Sequence, residues 1–321
     1  MTSSLNILVV GGSGFIGSNL CKYLLDKNEN DNILCLDNNF TGSIKNIDEF
    51  MENPRFHYMY HDILQPIELN CAIHQIYHLA CPASPPKYQA DPIYTSKVCY
   101  IGTLNVLNFA KKKNATVLLT STSEVYGDPE HSPQVEEYRG NVNTIGIRSC
   151  YDEGKRIAET LMMDFHRKYN VDIRIVRIFN TYGINMDPTD GRVISNFINQ
   201  CLKNKDITIY GDGSQTRSFC YVSDMVNGLY KMMNQNKTVG PINLGNPNEL
   251  TIKQVANIIH NIVCTHYSGT TSKIIYKELP MDDPKKRKPD IQKANKYLDW
   301  KPNVKLEGGL IKTIDYFSGI N

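Results

Sequence analysis

Leu5-Asn6-Ile7-Leu8-Val9-Val10-Gly11-Gly12-Ser13-Gly14-Phe15-Ile16-Gly17 is the stretch from which the fold can be read. Residues 5–10 form a short apolar run, the pattern of a strand buried on both faces of a parallel sheet. The run passes into glycines at 11, 14 and 17 and then into a helical pattern through Leu25. Glycines so placed let the backbone approach a pyrophosphate, and the helix start offers free N–H groups and the positive end of a dipole. After a polar loop at 28–32, a second apolar run at 33–36 ends on Asp37. An acid about 20 residues past the last glycine is where a dinucleotide fold holds the adenosine ribose hydroxyls. Its charge repels a 2′-phosphate, so the expectation is NAD rather than NADP.

Outward from that stretch, strand and helix alternate. Residues 56–61, 75–80, 117–120 and 173–178 read as strands, and 102–112 and 151–169 as helices. Such alternation predicts an α/β fold, a Rossmann-type doubly wound parallel sheet. Beyond about Asn180 the pattern changes. Pro, Gly and Asp cluster at 184–191, helices are expected at 193–202 and 252–263, and short strands at 207–210 and 274–277. Residues 1–180 are therefore read as an NAD-binding domain. Residues 181–321 are read mainly as a smaller C-terminal substrate-binding α/β domain, with 221–244 returning to the first.

A chain of 321 residues suits two domains sharing a large core. The 35 basic and 33 acidic residues nearly cancel, which argues against nucleic acid or a membrane surface as the main partner. Nine cysteines, an odd number without a C-x-x-C pair, exclude a fully paired disulfide framework and a zinc ribbon. No apolar run approaches the roughly 18 residues of a membrane span. Residues 1–6 are too short for a signal peptide before the first strand, and a cytoplasmic protein is expected. Two histidine pairs, His57/His61 and His74/His78, are each four apart, but in strand-like runs without a third ligand they read as core or surface groups.

The second informative motif is Tyr151-Asp152-Glu153-Gly154-Lys155. Tyr and Lys four apart share a helix face. A Tyr hydroxyl, with a pKa near 10, is a poor base at neutral pH, and a nearby ammonium together with a positively charged nicotinamide is expected to lower it. The motif follows a strand ending Thr120-Ser121-Thr122-Ser123-Glu124. With these stand 78–86 (HLACPASPP), 121–129 (STSEVYGDP), 150–156 (CYDEGKR), 177–183 (RIFNTYG), 190–193 (DGRV), 213–217 (GSQTR) and 282–290 (DDPKKRKPD). On these segments, essentially end to end, the chain resembles the extended short-chain dehydrogenase/reductase family that acts on nucleotide sugars, and most closely its decarboxylating branch.

The resemblance implies NAD-dependent decarboxylation of UDP-glucuronate to UDP-xylose through a 4-keto sugar, with the cofactor recycled internally. Dehydratases of the family typically carry an Asp-Glu pair where this chain has Ser123-Glu124, and epimerases small residues. One carboxyl group suffices for a single proton transfer at carbon. In the implied mechanism Tyr151, helped by Thr122 and Lys155, takes the proton of the C4 hydroxyl. Glu124 manages the proton delivered to C5, and Arg287 meets the sugar's carboxylate. Another nucleotide-sugar 4,6-dehydratase or 4-epimerase, or a non-enzymatic NAD-binding regulator on the same fold, stays open as an alternative.

The resemblance also places the cofactor against Gly11, Gly14, Phe15, Ile16, Gly17, Asp37, Asn38, Thr41 and Gly42. Asp62, Ile63, Leu79, Ser121, Tyr151, Lys155 and Arg192 complete that set. Lys97, Asn105, Asn180, Tyr210, Gln215, Arg217 and Arg287 are carried over for the nucleotide sugar. The charge run at 285–288 is read as an active-site loop. No metal is expected. The chain departs from the family's common Thr-Asn-Thr at Val98-Cys99-Tyr100. A homodimer is implied, its helices 102–112 and 151–169 pairing as a four-helix bundle through Leu104, Leu107, Ile157, Leu161 and Phe165.

Overall fold

The computed structural model describes residues 4–267, 270–278 and 286–320. Its first half is built on β1 (Asn6–Val10), β2 (Asn32–Asp37), β3 (Phe56–Tyr60), β4 (Gln75–His78), β5 (Thr116–Thr122) and β6 (Ile173–Ile178). With Ile242–Leu244 beyond β6 they form a seven-stranded sheet in the order β3-β2-β1-β4-β5-β6 and Ile242–Leu244. Every pairing is parallel. The strand order reverses between β1 and β4, and the crevice outside the carboxyl ends of those strands is where such sheets bind ligands.

The apolar runs are strands because both of their faces are covered. Ile7 and Val9 pack with Leu20, Leu24 and Ile33 on one side of the sheet. Leu8 and Val10, pointing the other way, pack with Val106, Leu107, Met162 and Phe165. The covering helices are α1 (Phe15–Lys27), the short α2 (Pro85–Ala90) and α3 (Pro92–Lys97), then α4 (Thr103–Lys113) and α5 (Ser149–Tyr169). The sequence reading did not anticipate α2 and α3. Each begins on a proline, and the Asp91 side chain accepts from the Tyr94 N–H at 2.8 Å to cap α3. A wide π-type turn at Val98–Gly102 joins α3 to α4.

Past Asn180 the chain crosses the sheet's carboxyl end and comes back. The helix Val222–Met233 packs on α1, and Ile242–Leu244 pairs with β6 in the register Ile242↔Val176. A separate three-stranded sheet sets Glu249–Thr251 antiparallel to Thr216–Ser218 and Lys286–Arg287 parallel to it. Arg287 thereby lies beside Arg217 at the mouth of the crevice. The Ile7 face of the core continues without a break into this region through Phe197, Ile198, Ile259, Trp300 and Phe317. Among the described residues no helix is long and apolar enough to cross a membrane.

Candidate active site

A cleft of about 1350 Å³ opens over the carboxyl ends of β1, β4 and β5. That exceeds the usual span for one small ligand, so it has room for a dinucleotide and a second nucleotide. One end is made by the glycine turn. Gly11 has φ +86°, and a Cβ there would stand 2.6 Å from the Ala80 nitrogen. At Gly17 a Cβ would run into the Gly11 carbonyl oxygen, so only glycine lets α1 approach β1 this closely. Gly14, Phe15, Ile16, Thr41, Gly42, Ile63 and Leu79 also line the cleft.

Asp37 lines it too, and has structural work there. Its Oδ2 accepts from the Ser13 N–H at 3.0 Å and its Oδ1 from the Asn39 N–H at 2.8 Å, so one carboxylate fixes the glycine turn and the end of β2. Asn38, beside it in the cleft, donates to Asp62 Oδ2 at 3.1 Å and to the Tyr94 hydroxyl at 2.8 Å. A glycine cradle that any Cβ would fill, with an acid at the adjoining strand end, fits a dinucleotide.

The chemical end lies deeper. Tyr151 and Lys155, one turn apart on α5, are 6% and 4% exposed. Lys155 Nζ donates to the Thr120 carbonyl at 3.0 Å, which pins α5 to β5. Burial raises the Tyr151 hydroxyl well above its ordinary value, Cys81 and Glu124 add to this, and a hydrogen bond with Thr122 and the charge of Arg192 oppose it. The expected lowering rests on the ammonium together with a positively charged nicotinamide; in the chain alone, desolvation wins. Tyr88 from α2 lies flat on Tyr151, with ring centroids 5.1 Å apart and planes within 5°.

Glu124 sits at the turn after β5, its N–H donating to Thr122 Oγ1 at 3.2 Å. Two arginines hold its carboxylate. Arg148, at the start of α5, donates to Oε2 at 2.6 Å, and Arg287 reaches both oxygens. Burial alone would push the Glu124 carboxyl up, but the two guanidinium groups outweigh it and bring it below the ordinary range. Asp152 is nearby, with its Oδ2 4.0 Å from Arg148 Nε. Burial, reinforced by the Glu124 charge, raises Asp152 to about 7. Among the described residues, Arg148 Nε and Arg287 Nε are buried donors that make no hydrogen bond. Sequence reasoning missed Arg148; its signal was a basic residue three positions before Tyr151, on the same helix face.

Asn180, Arg192, Tyr210, Arg217 and Arg287 line the cleft. Several carried-over residues lie behind it or off it. The Ser121 hydroxyl turns away to Glu159 Oε1 at 2.5 Å, joining the Glu159–Arg177 pair, and Thr120 takes its place on the wall. Asp62 holds Asn38 and Tyr94 from behind. The Asn105 amide donates to the Ile63 carbonyl at 2.8 Å, and Gln215 donates to the Tyr210 carbonyl at 2.7 Å; each supports a lining residue without lining the cleft. Lys97 is exposed at the end of α3. Residues 282–285 of the basic segment lie outside the described residues. Burial, with Lys155 nearby, lowers His78 to about 3, so it is a neutral core group bonded to Thr103 at 3.1 Å.

A Tyr-x-x-x-Lys helix laid against a glycine-rich dinucleotide crevice defines an extended short-chain dehydrogenase/reductase. The family model described as GDP-mannose 4,6 dehydratase matches residues 8–313, and the chain belongs to that family. It is 52% identical over 308 residues to UDP-glucuronic acid decarboxylase 6 of Arabidopsis thaliana, covering 96% of this chain and 87% of that one. It is 50% identical over 312 residues to UDP-glucuronic acid decarboxylase 1 of Xenopus tropicalis, covering 97% and 72%. Among solved structures, UDP-glucuronic acid 4-epimerase from Bacillus cereus, in complex with UDP-glucuronic acid and NAD, aligns with a TM-score of 0.86 at 29% identity. That match covers 99% of this chain and 100% of the epimerase.

Proposed function

We propose that this chain is an NAD-dependent decarboxylase that converts UDP-glucuronate to UDP-xylose. The observation that carries the reading is the Arg148–Glu124–Arg287 cluster in the same cleft as Tyr151 and Lys155. Two guanidinium groups share one carboxylate and keep two buried Nε–H donors unused, a site suited to a second carboxylate. The decarboxylase names of relatives about half identical over the whole chain support the same substrate.

Gly11, Gly14 and Gly17 would admit the cofactor's pyrophosphate, and Asp37 its adenosine ribose. When bound, NAD supplies the acceptor and later the donor of the hydride at C4 of the sugar. Tyr151, whose raised hydroxyl the positive charge of a bound nicotinamide would bring down, takes the proton of the C4 hydroxyl, and Thr122 holds the same oxygen. The sugar's carboxylate competes with Glu124 for Arg148 and Arg287. Once C4 is a ketone, the carboxylate is beta to it, and loss of carbon dioxide leaves the electron pair as an enolate on the C4 oxygen. Tyr151 and Thr122 donate hydrogen bonds to that oxygen. Glu124, freed from its arginines, gains proton affinity, takes up a proton from solvent and delivers it to C5.

The test is incubation of the purified chain with NAD and UDP-glucuronate, with the product identified by mass and sugar composition. UDP-xylose is expected; an epimer of unchanged mass, UDP-galacturonate, or an accumulating keto sugar as the sole product overturns the reading. Arg148→Ala should raise KM for UDP-glucuronate about 10- to 100-fold, the worth of one charge-assisted hydrogen bond, while leaving UDP affinity unchanged. Tyr151→Phe should abolish turnover.

A further inference from the structure

Cys81 and Cys99 form a thiol pair that the reaction above does not use. Cys81 follows β4 and lines the cleft, and its Sγ is 3.4 Å from Cys99 Sγ. Cys99 lies in the π-type turn Val98–Gly102. It is 3% exposed and packs under α5: a Cβ on Gly154 would stand 2.8 Å from Cys99 Sγ. The residue after Gly154 is Lys155. The two sulfurs therefore join the loop that walls the cleft to the seat of the helix that bears Tyr151.

We propose that Cys81 and Cys99 are a site of reversible oxidation by hydroperoxides, closing to a disulfide that shuts down the active site. Burial alone would raise the Cys81 thiol, but the hydrogen bond with Cys99 and the Lys155 ammonium outweigh it and bring it below its ordinary value. The hydrogen bond to Cys81, and then burial, raise Cys99. Cys81 is thus the readier of the two to ionise and attack, with Cys99 as its partner. In the first step the Cys81 sulfur attacks the O–O bond; an S–O bond forms, the O–O bond breaks, and the leaving oxygen departs as water or an alcohol with the proton that Cys81 gives up, so Cys81 becomes a sulfenic acid. In the second step the Cys99 sulfur displaces hydroxide, which leaves as water with the Cys99 proton, and the S–S bond forms. Two electrons pass from the thiols to the peroxide, and a dithiol reductant returns them by exchange. Closing the gap to the roughly 2 Å of a disulfide pulls Cys81 from Lys155 and shifts the packing under Gly154. Cys150, whose Sγ bonds to the Tyr88 carbonyl at 3.6 Å, is the competing thiol in this neighbourhood.

The experiment treats the full-length reduced chain with graded hydrogen peroxide, then maps cysteine states by peptide mass and assays turnover. Mapping by mass is independent of the reaction assigned to the site, so a failure of that assignment would not mask the cross-link. The expected result is a Cys81–Cys99 disulfide at peroxide levels that leave the exposed Cys71 and Cys264 reduced. Activity should fall about 10²-fold with it, the cost of misplacing a catalytic group by an ångström, and return with dithiothreitol. In Cys99→Ser, and in Cys99→Asn as a second variant, no disulfide forms and a sulfenic-acid probe labels Cys81. Earlier oxidation of Cys71 or Cys264, a Cys81–Cys150 link instead, or full activity in the cross-linked chain overturns the proposal.

Discussion

Asp152 is a residue whose charge the fold disfavours. Its carboxyl titrates near 7, against about 3.9 in an unfolded chain, because it is buried beside Glu124. A carboxyl whose folded pKa is raised binds its proton more tightly in the folded state. Its contribution to stability is full below the unfolded pKa and is lost as pH rises through 7. Asp152→Asn should therefore match the parent near pH 4 and be the more stable at pH 8, by a few kcal/mol at most, with a higher melting temperature there. Thermal melts at several pH values check this; a constant offset between the two proteins would overturn it. At this scale, legibility followed locality. Tyr151, Lys155, Thr122 and Asp37 belong to short motifs, and the roles proposed for them were read from that spacing. Arg148 acquires meaning only when α5 sets it against a glutamate 24 residues earlier in the chain. Ser121 and Asn105 were placed by resemblance, and which way their side chains turned depended on Glu159 and the Ile63 carbonyl, which no spacing reveals.

The glycine turn and α1 are the element on which the cofactor end depends. A methyl group at position 17 would collide with the Gly11 carbonyl and the Gly12 Cα, which are backbone atoms and cannot swing aside. Gly17→Ala should cost about 1–3 kcal/mol of stability by overpacking and weaken dinucleotide affinity as α1 is pushed off β1. Melting curves with and without NAD, and a titration with NAD, test this; an unchanged melting temperature and affinity would refute it. The long elements were readable because apolar runs of strand length and 3.6-residue periods are strong signals. α2, α3 and Gln292–Leu298 are six or seven residues long and too short to show a period. The strand Lys286–Arg287 exists only through its pairing with Thr216–Ser218, and no local pattern announces it.

For the whole molecule, a homodimer through α4 and α5 remains our proposal. Of the apolar residues assigned to that contact, Leu107 and Phe165 are spent inside the chain, at 0% and 7% exposure. Ile157 is exposed, and Leu104 and Leu161 are half-buried, so these three make the face available to a second copy. Light scattering at micromolar concentration should give twice the chain mass and Ile157→Glu a monomer; a monomeric parent would overturn the pairing.

The core that runs unbroken from Ile7 beneath the sheet to Phe317 near the end of the chain has a kinetic consequence. Where two lobes meet across a thin polar seam, they swing apart freely; where they share hydrophobic interior, they do not. Here the walls of the cleft are parts of one solid. Ligand traffic is left to small movements of the loops around the mouth. Slow emptying is the expected consequence, and on the proposed reaction it suits a redox partner that begins and ends each cycle in the same state.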